Sequence, residues 1–170
     1  MKKNLLFAFT FLFFLPAIYS KNINFQVVQN NPGFDTVFAV SNLFEQALSD
    51  FFFESGHIVS NSPVFIKEDS KSDSAELKRA LADTLLGGMD VLVRLEIKYD
   101  EKTANSAGAL LPNSVKSVSW QNYNPKTGKI ISDGSIFPEK IDASNNNEAE
   151  LYKFASSVAA KVSSTLKSLK

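Results

Sequence analysis

The stretch that most constrains this chain runs from Thr36 to Ser55, TVFAVSNLFEQALSDFFFES. Val37, Val40, Phe44, Ala47, Leu48 and Phe51 recur at helical spacing and share one face. Asp35 stands before the stretch as an N-cap, and Gly56 follows it at the C′ position. Five phenylalanines in one helix present more apolar surface than a solvated helix needs. This helix is therefore expected to be the central packing element of a domain. Phe53 lies opposite Phe44 on the helical wheel, and Phe38 lies toward the flank. Burial nearly all round is the expectation; the alternative is that Phe38 and Phe53 mark a partner surface.

The first residues read as an export signal. Lys2 and Lys3 form a basic start, and Leu5 to Leu15 is an apolar run relieved only by Thr10. Pro16 breaks the run, and Ala17 to Ser20 close it, with cleavage expected near Ser20. The run is 11 residues long, whereas a spanning helix needs roughly 20. An uncleaved anchor is the alternative, and membrane association is expected only in that case. No cysteine occurs, so no disulfide can form and no lipid anchor of the bacterial lipoprotein kind is expected. Residues 21–170 are expected to form a single exported domain, periplasmic in location. Without residues 1–20 the chain has 16 basic and 18 acidic residues. That balance supplies no basic field for nucleic acid.

The rest of the chain reads as β-α-β-α-β-β-β-α. Ile23, Phe25 and Val27 alternate with polar residues as a first strand, and Asn30 to Gly33 is turn chemistry. After the phenylalanine helix, His57 to Ile66 reads as a second strand, with Pro63 implying an edge, a bulge or a split. Lys67 to Asp73 reads as a solvated loop. Asp73 and Glu76 have capping-box spacing ahead of a helix striped by Leu77, Leu81, Thr84 and Leu85, which Gly87 and Gly88 stop. Met89 to Tyr99 alternates strictly. Val91, Val93, Leu95, Ile97 and Tyr99 face one side, and Leu92, Arg94, Glu96 and Lys98 face the other, which is expected to meet water or a partner.

Glu101 to Pro112 is a long small-residue loop with an apolar tip at Leu110 and Leu111. The two leucines either anchor a partner or fold back onto the domain. Val115 to Tyr123 and Lys129 to Phe137 flank NPKTG as a hairpin, with Trp120 and Tyr123 read as packing residues. A last helix, with Asn147 and Glu150 at capping-box spacing, carries Leu151, Phe154, Val158, Val162, Leu166 and Leu169. The fold class is α/β of the mixed α+β kind: one twisted, mixed sheet with its apolar face covered by helices.

No motif in this order carries catalysis. His57 is the lone histidine and has no cysteine to share a zinc site with. Glu68 and Asp69 are adjacent on a polar loop, which is no geometry for paired acid–base work. Gly87-Gly88 ends a helix rather than opening one around a phosphate. No cofactor, metal or catalytic residue is therefore expected.

SNLFEQALSDFFFESGHIV, then a charged loop and a helix, then GGMDVLVRLEIKY, resembles a group of bacterial envelope domains. The group includes the amino-terminal domain of TolB, LpoB, CsgG and FlgT, and the likeness runs from Ile23 to Phe137 in element order. A looser similarity to exported spirochaete proteins rests on the phenylalanine helix and the SGHIV turn. The resemblance implies a non-enzymatic periplasmic module that binds other envelope proteins, in cell-envelope or flagellar assembly. LpoB and CsgG are lipoproteins, and the missing cysteine sets this chain apart from them. The alternative is a periplasmic carrier of an apolar small molecule, for which a cavity lined by Phe44, Phe51 and Phe52 would be the sign. The candidate partner-binding residues are Leu110, Leu111, Phe38 and Phe53, with the exposed face of the hairpin.

Overall fold

A computed structural model describes residues 20–30, 39–99 and 112–167. Asp35, Val37, Phe38, Leu110, Leu111 and Leu169, and the leader expected over residues 1–20 apart from Ser20, lie outside the described residues. The elements follow the expected order: β1 (Asn22–Asn30), α1 (Ala39–Glu54), β2 (Ile58–Ile66), α2 (Ser70–Leu86) and β3 (Val91–Tyr99). A short 3-10 turn at Pro112–Ser114 then leads into β4 (Val115–Tyr123), β5 (Ile130–Ile136) and α3 (Glu148–Lys167). The strands form one open mixed sheet in the order β2-β1-β3-β4-β5. β1 pairs in parallel with both β2 and β3, and β4 and β5 complete the sheet antiparallel.

This strand order decides where the helices go. The chain steps from β1 to β2 in one direction and from β2 back across β1 to β3 in the other. Parallel crossovers keep one hand. Two crossovers of the same hand in opposite directions put their helices on opposite faces of the sheet. α1 packs with α3 on the face of Ile23, Phe25, Val27, Val93, Leu95 and Ile97, which makes the main core. α2 packs on the other face, where Ala80 meets Leu92 and Tyr123. The expectation that the even positions of β3 face water is thus corrected: Leu92 and Arg94 are buried, Arg94 at 7% exposure, and only Lys98 is exposed.

The local rules explain each helix. In α1 the i, i+4 row Val40, Phe44, Leu48 and Phe52 faces the core, with Ala47 beside it. Phe52, not Phe51, is therefore the last fully buried phenylalanine; Phe51 packs at the margin. The rings of Phe25 and Phe52 meet edge to face at 6.3 Å, and those of Phe44 and Phe154 at 5.8 Å. Gly56, at φ 82°, ends the helix in the left-handed region. His57 fills a structural place: its Nδ1 accepts from the Lys21 backbone N–H at 3.1 Å, and its ring meets Phe52. Phe53 is 73% exposed, so burial nearly all round does not hold for α1.

α2 starts earlier than its sequence pattern implies. Asp69, not Asp73, is the N-cap: its carboxylate accepts from the Ser72 backbone N–H at 2.7 Å, and the Ser72 hydroxyl takes the Asp69 N–H. Most of the expected loop is therefore the first turn of a helix. The stripe shifts with it: Ala80 and Thr84 are buried, Leu77 and Leu81 are half-buried, and Leu85 and Leu86 are exposed. In α3, Asn147 caps as expected by accepting from the Glu150 N–H at 3.1 Å. Leu151, Val158, Val162 and Leu166 are buried, while Phe154 is half-buried. The β4–β5 turn is closed by the Asn124 side chain, which accepts from the Lys126 and Thr127 N–H groups.

Phe44→Ala should destabilise by about 3–5 kcal/mol, as for a fully buried phenylalanine. Phe53→Ala should stay within about 0.5 kcal/mol of wild type, as for a surface change. Denaturant midpoints check both; equal midpoints for wild type and Phe44→Ala would place the core elsewhere. At Gly134 of β5 an added Cβ would lie 2.3 Å from Trp120 Cζ2. The indole covers the glycine across the strand pair. Gly134→Ala should therefore cost about 1–3 kcal/mol through overpacking, with a blue-to-red shift in Trp120 fluorescence as the ring is displaced toward water.

Candidate functional site

The second face of the sheet carries an unusual layer. Along β1 the residues under α2 are Asn24 and Gln26, both buried. A buried polar group without a partner costs about 1–3 kcal/mol; the Asn24 Nδ2 group and both polar atoms of Gln26 are engaged, while Asn24 Oδ1 has no partner among the described residues. Asn24 Nδ2 donates to Ser62 Oγ at 3.1 Å and to Thr84 Oγ1 at 2.8 Å. Gln26 Nε2 donates to Glu76 Oε1 at 2.6 Å, and Gln26 Oε1 accepts from Arg94 Nε at 3.2 Å.

From Arg94 the layer becomes ionic. Its guanidinium donates to Asp73 at 2.7 Å and lies over the Phe65 ring at 5.9 Å. Lys67 bridges Asp73 at 3.3 Å and Glu96 at 2.9 Å. Glu96 also accepts from Asn30 Nδ2 at 2.7 Å. Arg79 holds Glu76 and Asp83 along α2. The network thus ties β1, β3, the end of β2 and the first turns of α2 together.

Glu96, Asp73 and Glu76 are held ionised. Burial pushes Glu96 up, but the Asn30 and Lys67 hydrogen bonds and the Lys67 charge outweigh it, and its pKa falls below the ordinary value. Burial likewise opposes ionisation of Asp73, and the Arg94 hydrogen bond and charge with Lys67 outweigh it. Glu76 is lowered first by its hydrogen bond from Arg79, against burial and with help from Gln26. Lys67 is pushed down by burial and, more strongly, up by Glu96 and Asp73. General acid–base work needs groups poised near the working pH, and these groups are moved away from it.

Two concave surfaces flank the β4–β5 hairpin. A polar cleft of about 420 Å³ lies on the α2 side of the sheet, between Lys67, Arg94, Glu96 and Lys98 and the hairpin residues Gln121 and Asp133. A groove of about 510 Å³ lies at the far end of β5. It is formed by Pro112, Ile136, Phe137 and Ile141 facing Phe154 and Lys153 of α3. Phe137 is 72% exposed there. Of the residues singled out from sequence, Phe53 is on the surface at the end of α1, and Leu110, Leu111 and Phe38 lie outside the described residues. The exposed hairpin face is the wall of the cleft. The Lys67–Asp73–Arg94–Glu96 constellation was missed. Its signal was present as alternating charges on β3 and a charged run after β2, but only the strand order brings the two together. Among the described residues no group of three or more His, Cys, Asp or Glu is placed to hold a metal.

A family model described as "Uncharacterised protein" matches residues 22–167. The chain belongs to that family. No curated protein matches the sequence. Similar solved structures include the PelC dodecamer from Paraburkholderia phytofirmans, 16% identical over 86% of this chain and 87% of that chain, at a TM-score of 0.46. Lipoprotein GNA1162 from Neisseria meningitidis is 15% identical over 84% of this chain and 99% of that one, at 0.45. Protein XCC0632 from Xanthomonas campestris is 10% identical over 86% and 85%, at 0.43. All three scores fall below 0.5, so these likenesses say nothing about what this chain binds. None of the three is TolB, LpoB, CsgG or FlgT, and that finer likeness stands as a resemblance in sequence.

A carboxyl whose native pKa is depressed stabilises the fold above its unfolded-state pKa and loses that contribution as the pH falls through the native value. The folding free energy should therefore weaken on acidification below pH 4.5, the ordinary glutamate value. Glu96→Gln should lower stability at neutral pH and flatten this acid limb. Urea unfolding at a series of pH values checks it; an acid limb as steep as that of wild type would remove Glu96 from the cause.

Proposed function

We propose that this protein is a non-enzymatic module of the bacterial envelope, exported by its amino-terminal leader, that binds another envelope protein through its β4–β5 hairpin. One observation carries the reading: the phenylalanines are spent on a packed core, and the concave apolar surface lies outside it. Phe44 and Phe52 are fully buried among β1, β3 and α3 residues. Neither flanking surface is lined by Phe44, Phe51 or Phe52. A carrier of an apolar molecule would show the reverse. The exposed groove instead presents Phe137 beside Ile136 and Ile141 at the hairpin's end, the kind of aromatic anchor that protein interfaces use.

Export is supported by the pattern from Lys2 to Ser20. No helix of the described residues is long and apolar enough to cross a membrane. The paired, ionised state of Asp73, Glu76 and Glu96 supports a structural rather than catalytic use of the charged layer. Pro112 lines the groove, and Leu110 and Leu111 directly precede it in the chain, which makes them the first residues to substitute there. Phe53, exposed at the end of α1, and Phe38 are the next residues to test for a contact.

A photo-crosslinking residue placed at Gln121 or Phe137 in the native host should capture an envelope protein identifiable by mass. The same residue at Lys78, on the outer side of α2, should not. Leu110→Ser with Leu111→Ser should abolish the adduct while leaving the thermal midpoint unchanged. Adducts from Lys78 alone, or none from the hairpin, would sink the reading.

A further inference from the structure

The two edges of the sheet are built differently. β2 is protected: Pro63 removes a backbone donor, and its pairing with β1 shifts register between Gln26 and Val28. β5, the opposite edge, has seven residues, Ile130–Ile136, and contains no proline. Its irregularity lies at its start, opposite Asn122 and Tyr123. From Ser132 to Ile136 it pairs regularly, and among the described residues on one side only. An unprotected edge is a template for one more strand.

We propose that β5 is a strand-acceptor edge, which binds an extended segment of a partner protein as a sixth strand. This rests on the reading of the hairpin as the binding surface and specifies how it binds. Main-chain hydrogen bonds along β5 supply the pairing, and alternate side chains of the added strand supply the specificity. On the α3 side the added strand runs past Ile136 into the groove with Phe137, Ile141 and Phe154, so that row is apolar. On the opposite side it lies beside Asp133 and the polar cleft. The residue opposite Asp133 is a lysine or arginine, since opposite charges across a strand pair attract.

Trp120 adds a second observation. Its Nε1 is buried and has no hydrogen-bond partner among the described residues. Its Cε2 lies 2.7 Å from where a Gly134 Cβ would stand, so this donor sits over the outermost strand. A carbonyl or polar side chain of an added strand would satisfy it. The occupant is a different chain rather than a second copy. Full antiparallel overlap of β5 with itself is centred on Asp133 and sets one Asp133 carboxylate against the other, which is destabilising.

The test uses random dodecapeptides displayed on phage, selected against the purified protein at pH 7. The expected sequences alternate apolar residues with polar ones and carry a lysine or arginine among the polar set. The strongest is synthesised and its binding measured by calorimetry. It should protect the amides of Ile130–Ile136 from hydrogen exchange and leave those of β2 unchanged. Asp133→Lys and Phe137→Ser, both at exposed positions, should each weaken it about tenfold or more, the scale of a lost anchor, at unchanged thermal midpoint. Phe53→Ser should bind as wild type does. Protection outside β5, equal binding by both variants, no selected peptide, or a dimer of the protein that itself protects β5 would each overturn the inference. Crosslinks from Gln121 to an envelope protein without β5 protection would overturn strand addition alone and leave the module reading standing.

Discussion

β1 is covered on both faces, and the rest of the molecule answers to that fact. A strand buried on two sides is ordinarily apolar throughout. Here one row, Ile23, Phe25 and Val27, enters the main core, while the other includes Asn24 and Gln26. The donors of these amides are all matched, because the cost of an unmatched buried group exceeds the gain from a matched one. Gln26 therefore fixes where Glu76 and Arg94 can be, and Asn24 fixes Thr84 and Ser62. Two of those contacts, to Glu76 and Thr84, reach α2 and help fix its position; the other two tie β1 to β3 and β2.

Much of the architecture was legible because it is local. The α1 stripe, the Gly56 stop, the NPKTG turn and the alternation of β3 each depend on residues within a few positions of one another. Even there, the choice between Phe51 and Phe52 escaped a wheel drawn from sequence, since both lie within the apolar arc and only the packing against Phe25 distinguishes them. The α2 cap escaped for a related reason: Asp69–Ser72 and Asp73–Glu76 offer the same spacing, and the earlier one wins once Asp73 is taken up by Arg94 and Lys67.

What was not legible is non-local. Nothing in the alternation of Leu92, Arg94, Glu96 and Lys98 says that a helix will cover it. That follows only from β3 lying beside β1 on the side away from β2. The same order turns a charged run after β2 into the partner of charges on β3. A half-polar strand face reads equally as solvated or as ionically paired until the crossover direction is known. The hairpin, by contrast, needed no such knowledge: its strands are neighbours in sequence, and its outer face was identified as exposed from the start.

The division of labour between the two halves of the sheet follows. The β2-β1-β3 half is closed on both faces, by α1 and α3 on one side and by α2 with its ion pairs on the other. Its charges neutralise one another and hold the fold. Over β4 and β5 the α3 face is packed; the opposite face packs against α2 at Tyr123 and beyond it opens onto the polar cleft. Gly134 of β5 is kept bare beneath Trp120. A side chain there would push the indole off the strand pair. The glycine leaves room for the indole against the strand pair, while β2 at the other end of the sheet carries a proline and a register shift. A sheet that blunts one edge and leaves the other open has a direction in which it can be extended, and that direction is from β5 outward.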